Sequence, residues 1–214
     1  MLLYDKASQK LAIGLAILAG YIDSLGFLSL GGVFVSFMSG NSTRFAVGLF
    51  ENIPLGIKLI PFGMIVLFVT GVMAGRCIRH FRQGRASSAI LLFMLAMLFG
   101  AAILYEVHFR IFATALMAIA MGAANNVFFR EGEVSVGVTY MTGTLVKFGQ
   151  RLAGTLLGEK DNNWRPYLML WAGLIGGATL GSAGFQFWGL HCLWGGIAIC
   201  GFLYLDFKKI EKQN

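Results

Sequence analysis

FVSFMSGNSTRF, residues 34–45, decides how the rest of the chain is read. It follows an apolar run, 11–30, whose one charged side chain is Asp23. It places glycine, asparagine, hydroxyls and an arginine where a lipid-facing helix carries none. Either the stretch caps the end of a long, bent helix, or the helix breaks here at membrane depth. Irregular backbone is tolerated at that depth only where protein buries it or water reaches it. A break would therefore mark a site.

The 214 residues are 57% hydrophobic and 13% charged, against about 25% charged in soluble domains, so the chain is expected in a lipid bilayer. No residue is charged across 59–75, 86–105, 111–129 or 166–205. A crossing helix needs about 20 apolar residues, and the last run suffices for two, with a turn near 182–189. Six spans follow, at 11–30, 57–77, 87–106, 110–129, 165–184 and 187–206. The first apolar run continues past any signal-peptide cleavage point and reads as the first span. Cys77, Cys192 and Cys200 lack ligand-like spacing and read as packing residues. No cofactor is implied. The net charge of +7 has its largest cluster in RCIRHFRQGR at 76–85, between two spans. That position suits a positive-inside loop rather than nucleic acid.

With that cluster cytoplasmic, six crossings place both termini and the 130–165 loop on the same side. Of the 17 lysines and arginines, Arg44, Lys58 and Arg110 alone fall across the membrane. Counting 33–50 and 134–157 as full crossings would move the basic termini outside, against the usual bias. These two segments are instead expected to enter the bilayer and return.

The polar stretch occurs twice. Displaced by 103 residues, GGVFVSFMSGNSTRF (31–45) falls on VSVGVTYMTGTLVKF (134–148) without a gap. Val33, Val35, Met38, Gly40 and Phe45 recur as Val136, Val138, Met141, Gly143 and Phe148. Ser36 becomes Thr139, Phe37 becomes Tyr140, Ser39 becomes Thr142 and Arg44 becomes Lys147. Asp23 meets Asn126; farther on, Pro61 meets Pro166, and Gly71 and Gly75 meet Gly177 and Gly181.

Each copy, 1–108 and 109–214, holds three spans, so the second enters the membrane upside down. The expected fold is an all-α membrane protein with six transmembrane helices. They form two inverted-topology three-helix repeats in one integrated domain, each with a broken Met–Ser/Thr–Gly segment. Many secondary transporters are built this way, with the substrate near the midplane where discontinuous helices meet. VFVSFM and VSVGVTYM are rich in β-branched and aromatic residues, which suits extended runs. Glycine then allows a bend, and hydroxyls or amides cap helices that start near Asn41 and Thr144. Two helix N-termini at the centre favour an anion, with Arg44 and Lys147 one turn in.

AGYIDSLGFLSLGGVFVSFMSGNSTR (19–44) resembles the signature of the YoaK family of bacterial inner-membrane proteins. Gly20, Tyr21, Ile22 and Asp23 match the family pattern, as do Phe34, Val35, Phe37, Met38, Gly40 and Asn41. Ser24, Ser36, Ser39 and Ser42 stand where the family more often has alanine or threonine. The resemblance covers nearly the whole chain, including the second Met–Thr–Gly. It implies a multi-spanning inner-membrane protein of unassigned function, grouped with transporters; the lysine and arginine bias separately places both termini in the cytoplasm. The paired extended run and half-helix is also similar to the core of sulfate and nucleobase transporters, an analogy of fold alone.

Asp23 lies mid-span, where an ionisable group is functional or paired. It is either a proton or cation carrier, or a structural partner of Arg44, Asn125 or Asn126. Arg44 and Lys147 either contact an anion or snorkel from short helices. Glu131 and Glu133 read as solvated. Gly173, Gly177 and Gly181 form a small-residue ridge that packs inside the monomer or seams a homodimer. No nucleophile–base pair, phosphate loop or metal motif suggests an enzyme.

The resulting expectation is transport of a small polar or anionic solute by alternating access. The residues expected to bind it are Asp23, Ser39, Asn41, Arg44, Asn126, Thr142, Thr144 and Lys147. A passive channel through the same breaks and a non-transporting membrane scaffold are the alternatives. The partners expected are the lipid bilayer, a small-molecule or ion substrate and a second copy of the chain; nucleic acid is not expected.

Overall fold

A chain in lipid must satisfy its own backbone hydrogen bonds, so uninterrupted apolar runs become helices. The computed structural model describes residues 6–82, 84–130, 133–134, 139–159 and 162–211, with side chains for 8–82, 84–128, 139–159 and 162–209. Within them lie α1 (Lys6–Ser29), α2 (Met38–Gly48), α3 (Leu55–Phe81), α4 (Ala86–Glu106), α5 (Arg110–Ala124), α6 (Met141–Leu156), α7 (Arg165–Trp188) and α8 (Leu193–Glu211). The remaining regular structure is a 3-10 turn, Gly189–Cys192, and a two-residue antiparallel pairing of Phe129–Arg130 with Glu133–Val134.

Four stretches are long and apolar enough to cross a membrane: Ser8–Ser29, Leu55–Phe81, Ala86–Glu106 and Arg165–Lys209. The last contains both α7 and α8. They separate at Gly189, whose φ of 57° breaks the helix, and α8 begins later than the sequence suggests. α5 stops at Ala124, short of the expected 129. Its 15 residues cover about 22 Å, less than the roughly 30 Å hydrocarbon core. The turn between α4 and α5 contains the expected repeat boundary at 108–109.

α1 makes its largest contact with α7, and α5 packs chiefly on α4 and α3. Glycines set both close crossings. A side chain at Gly177 would run into the Ile17 carbonyl, and one at Gly20 into the Leu174 carbonyl. On the other side, Gly71 meets the Ile119 carbonyl and Gly122 the Phe68 carbonyl in the same way. Backbones therefore touch directly, as small residues permit between membrane helices. The glycine ridge at 177–181 is thus occupied within the chain, by Ile17, Tyr21 and Ser24.

Most helix contacts recur when every helix is exchanged for the one four places on; α3 on α4 does not, because the 3-10 turn stands between α7 and α8. α1 on α7 becomes α5 on α3, α2 on α3 becomes α6 on α7, and α4 on α5 becomes α8 on α1. α1 on α5 and α4 on α8 map onto themselves. The equivalence also fixes a register that the ungapped alignment misses. Gly181 faces Ser24 as Gly75 faces Asn126, so Ser24 corresponds to Asn126 and Asp23 to Asn125. The linker from α5 to the second break carries one residue more than its counterpart, which hides the shift in the sequence.

Candidate functional site

α1 ends at Ser29, and Gly31 and Gly32 turn the chain back with φ of 64° and 99°. Residues 33–37 form no regular structure before α2 begins at Met38. The helix therefore breaks and does not bend through. Two side chains hold the break. Asp23 Oδ1 accepts the N–H groups of Val35 at 2.9 Å and Ser36 at 2.8 Å. Asn41 pairs with both polar groups of Phe34, accepting its N–H at 2.9 Å and donating Nδ2–H to its carbonyl at 2.7 Å. An asparagine here acts as a detached strand partner for backbone that lacks one, which is why the segment needs no sheet.

The second break is described from Thr139 onward; Glu131, Val136 and Val138 lie outside the described residues. Thr139 donates its hydroxyl to Asn125 Oδ1 at 3.0 Å, and Asn125 donates Nδ2–H to the Met121 carbonyl at 3.2 Å. α6 starts at Met141.

Both short helices begin three residues before the sequence-based positions, Asn41 and Thr144. Their N-caps are aromatic, Phe37 and Tyr140, with no side-chain capping bond. The usual Ser, Thr, Asp or Asn would satisfy an N-terminal N–H group. Here the N–H groups of Met38, Ser39 and Gly40, and of Met141, Thr142 and Gly143, lack intrahelical partners. The two N-termini meet at one cavity of about 200 Å³, lined by Ser36, Ser39, Thr139, Thr142, Phe68 and the two aromatic caps, among others. Four small hydroxyls, two from each break, face it. No lining residue carries a formal charge.

Of the eight residues singled out from sequence, Ser39 and Thr142 line this cavity. Asp23 and Asn41 hold the first break from behind. Asn126 donates Nδ2–H to the Val72 carbonyl at 3.0 Å, in the α3–α5 crossing. Thr144 is buried, and its hydroxyl returns to the Tyr140 carbonyl at 3.2 Å. Arg44 is exposed and donates to the Gly31 carbonyl at 3.3 Å, just past the end of α1. A cation there suits the negative end of that helix. Lys147 is exposed on α6. Ser36 and Thr139 were paired by the repeat but not singled out; the signal that could have found them is that each is a hydroxyl one residue before an aromatic cap.

The chain matches a family model described as a protein of unknown function (DUF1275) over residues 11–205. It belongs to this family. A UPF0700 transmembrane protein, RA0705, from Rhizobium meliloti (strain 1021) is 37% identical over 179 residues, which is 83% of this chain and 76% of the relative. The UPF0700 transmembrane protein YoaK of Bacillus subtilis (strain 168) is 29% identical over 157 residues, 69% of this chain and 68% of the relative. No solved structure matches. The DUF1275 chain is therefore a multi-pass membrane protein of the YoaK family, whose relatives' names give no substrate.

Proposed function

We propose that this DUF1275 protein is a carrier, and not an enzyme, for a small polar or anionic solute, working by alternating access. It has six crossings in the bacterial inner membrane and cytoplasmic termini. Residues 1–108 and 109–214 form inverted repeats, a reading supported by the recurrence of most helix contacts and by the reciprocal glycine crossings. α2 and α6 enter from opposite sides and stop at the centre.

The observation that carries the proposal is the cavity where both uncapped N-termini meet. Partial positive charge at helix starts, with N–H donors and hydroxyls, suits an anion or a strongly accepting solute. At about 200 Å³ the space matches roughly six or seven waters, which limits the solute to a few heavy atoms. The absence of a lining carboxylate disfavours a cation.

The test is thermal stability of the purified protein against chloride, formate, acetate, bicarbonate, phosphate, urea and glycerol, beside the double variant Ser39→Ala/Thr142→Ala. A solute that binds the folded state alone raises the melting temperature. At least one small anion should stabilise the wild type and not the double variant. An equal response from both, or a response to neutral solutes alone, overturns the anion reading. In proteoliposomes loaded with the responding anion, counterflow distinguishes a carrier from a channel.

A further inference from the structure

A second cleft lies far from the two breaks in the chain, and none of its residues lines the central cavity. It has a volume of about 570 Å³, between the C-terminal end of α3, the N-terminal half of α4 and the C-terminal end of α8. Its α4 side is largely apolar, lined by Leu92, Phe93 and Ala96. From Arg85 to Ala96 that side follows about 16 Å of helix, from the basic end of α4 toward its middle. At the mouth stand Arg82, Arg85 and Lys208. Lys208 Nζ donates to the Tyr204 hydroxyl at 3.2 Å and lies 5.3 Å from the ring centroid, so the aromatic holds the ammonium at the rim. Arg82, Arg85 and Lys208 have no ion-pair partner among the described residues.

We propose that this cleft holds one anionic phospholipid, with its phosphate on Arg82, Arg85 and Lys208 and one acyl chain along Leu92, Phe93 and Ala96. Charge complementarity selects the occupant. Three cations converge from two sides of an apolar trough that opens where the helices face the bilayer, as in basic headgroup pockets between transmembrane helices. A soluble phosphate would leave the trough empty. A zwitterionic lipid would bring a cation of its own to the same mouth. The lipid ties α8 to the α3–α4 turn.

The test uses full-length protein in detergent, with melting temperature and co-purified lipid mass as readouts. The additives are phosphatidylglycerol, phosphatidylcholine and glycerol 3-phosphate. Phosphatidylglycerol should raise the melting temperature and remain bound, while the other two should not. Arg82→Ala/Arg85→Ala/Lys208→Ala should weaken phosphatidylglycerol binding at least tenfold. Ala96→Trp, which fills the trough and keeps every charge, should do the same; it carries the test if the triple variant fails to fold. Equal stabilisation by phosphatidylcholine overturns the proposal. So does stabilisation by glycerol 3-phosphate alone, or wild-type lipid retention in either variant.

Discussion

In the first break a carboxylate gathers the backbone: Asp23 accepts two consecutive N–H groups, those of Val35 and Ser36. In the second, the equivalent Asn125 accepts the Thr139 hydroxyl and uses its amide hydrogen on its own helix. The same helix-breaking task is thus done once with a formal charge and once without. A carboxylate is acceptor-only, and it suits a chain that presents donors in series. An amide carries a donor that needs its own acceptor, which the Met121 carbonyl supplies. Similar architecture therefore does not require identical chemistry, and the Asp23 carboxylate anchors backbone behind the cavity wall.

The largest expected effect removes the frame that both breaks share. Gly177→Val or Gly71→Val forces a side chain into the Ile17 or Ile119 carbonyl. Either should cost more than about 4 kcal/mol and abolish the monodisperse peak in gel filtration. If one is tolerated, the two crossings are not equivalent. Next, Asp23→Leu leaves two backbone donors without an acceptor and should cost about 3 kcal/mol, whereas Asn125→Leu should cost about 1 kcal/mol. Denaturation in micelles measures both, and equal losses would remove the distinction between the breaks. Smallest is Arg44→Ala, which removes one long, exposed contact to the Gly31 carbonyl. It should shift stability by less than about 0.5 kcal/mol and leave anion-dependent stabilisation intact. Loss of that stabilisation would return Arg44 to the site.

The helices are legible because lipid allows little else: charge-free runs mark most of α3, α4, α7 and α8, and α1 is apolar apart from Asp23. The breaks are legible from Met–Ser–Gly–Asn and Met–Thr–Gly–Thr, since polar residues and glycine at that depth have few other uses. Finer features are not. Asn125, and not Asn126, holds the second break as Asp23 holds the first, and one extra linker residue conceals that correspondence. Arg44 lies one turn from the cavity along the chain, yet its side chain turns back to the end of α1. Sequence spacing gives the turn a side chain is on; the direction it takes follows from neighbours that arrive from elsewhere. The aromatic caps are not legible, because hydroxyls and amides are the usual residues at a helix start.

The crossed pairing of helices also has a temporal side. α1 rests mainly on α7, and more than a hundred residues separate the end of one from the start of the other. At usual synthesis rates of about 5–20 residues per second, the ribosome takes on the order of ten seconds to deliver that partner. Until then the glycine face of α1 has only lipid or the insertion machinery against it, and Asp23 waits in a helix whose principal neighbour does not yet exist. The half translated first is thus a client of its surroundings, and α1 reaches its native packing only after α7 has been made.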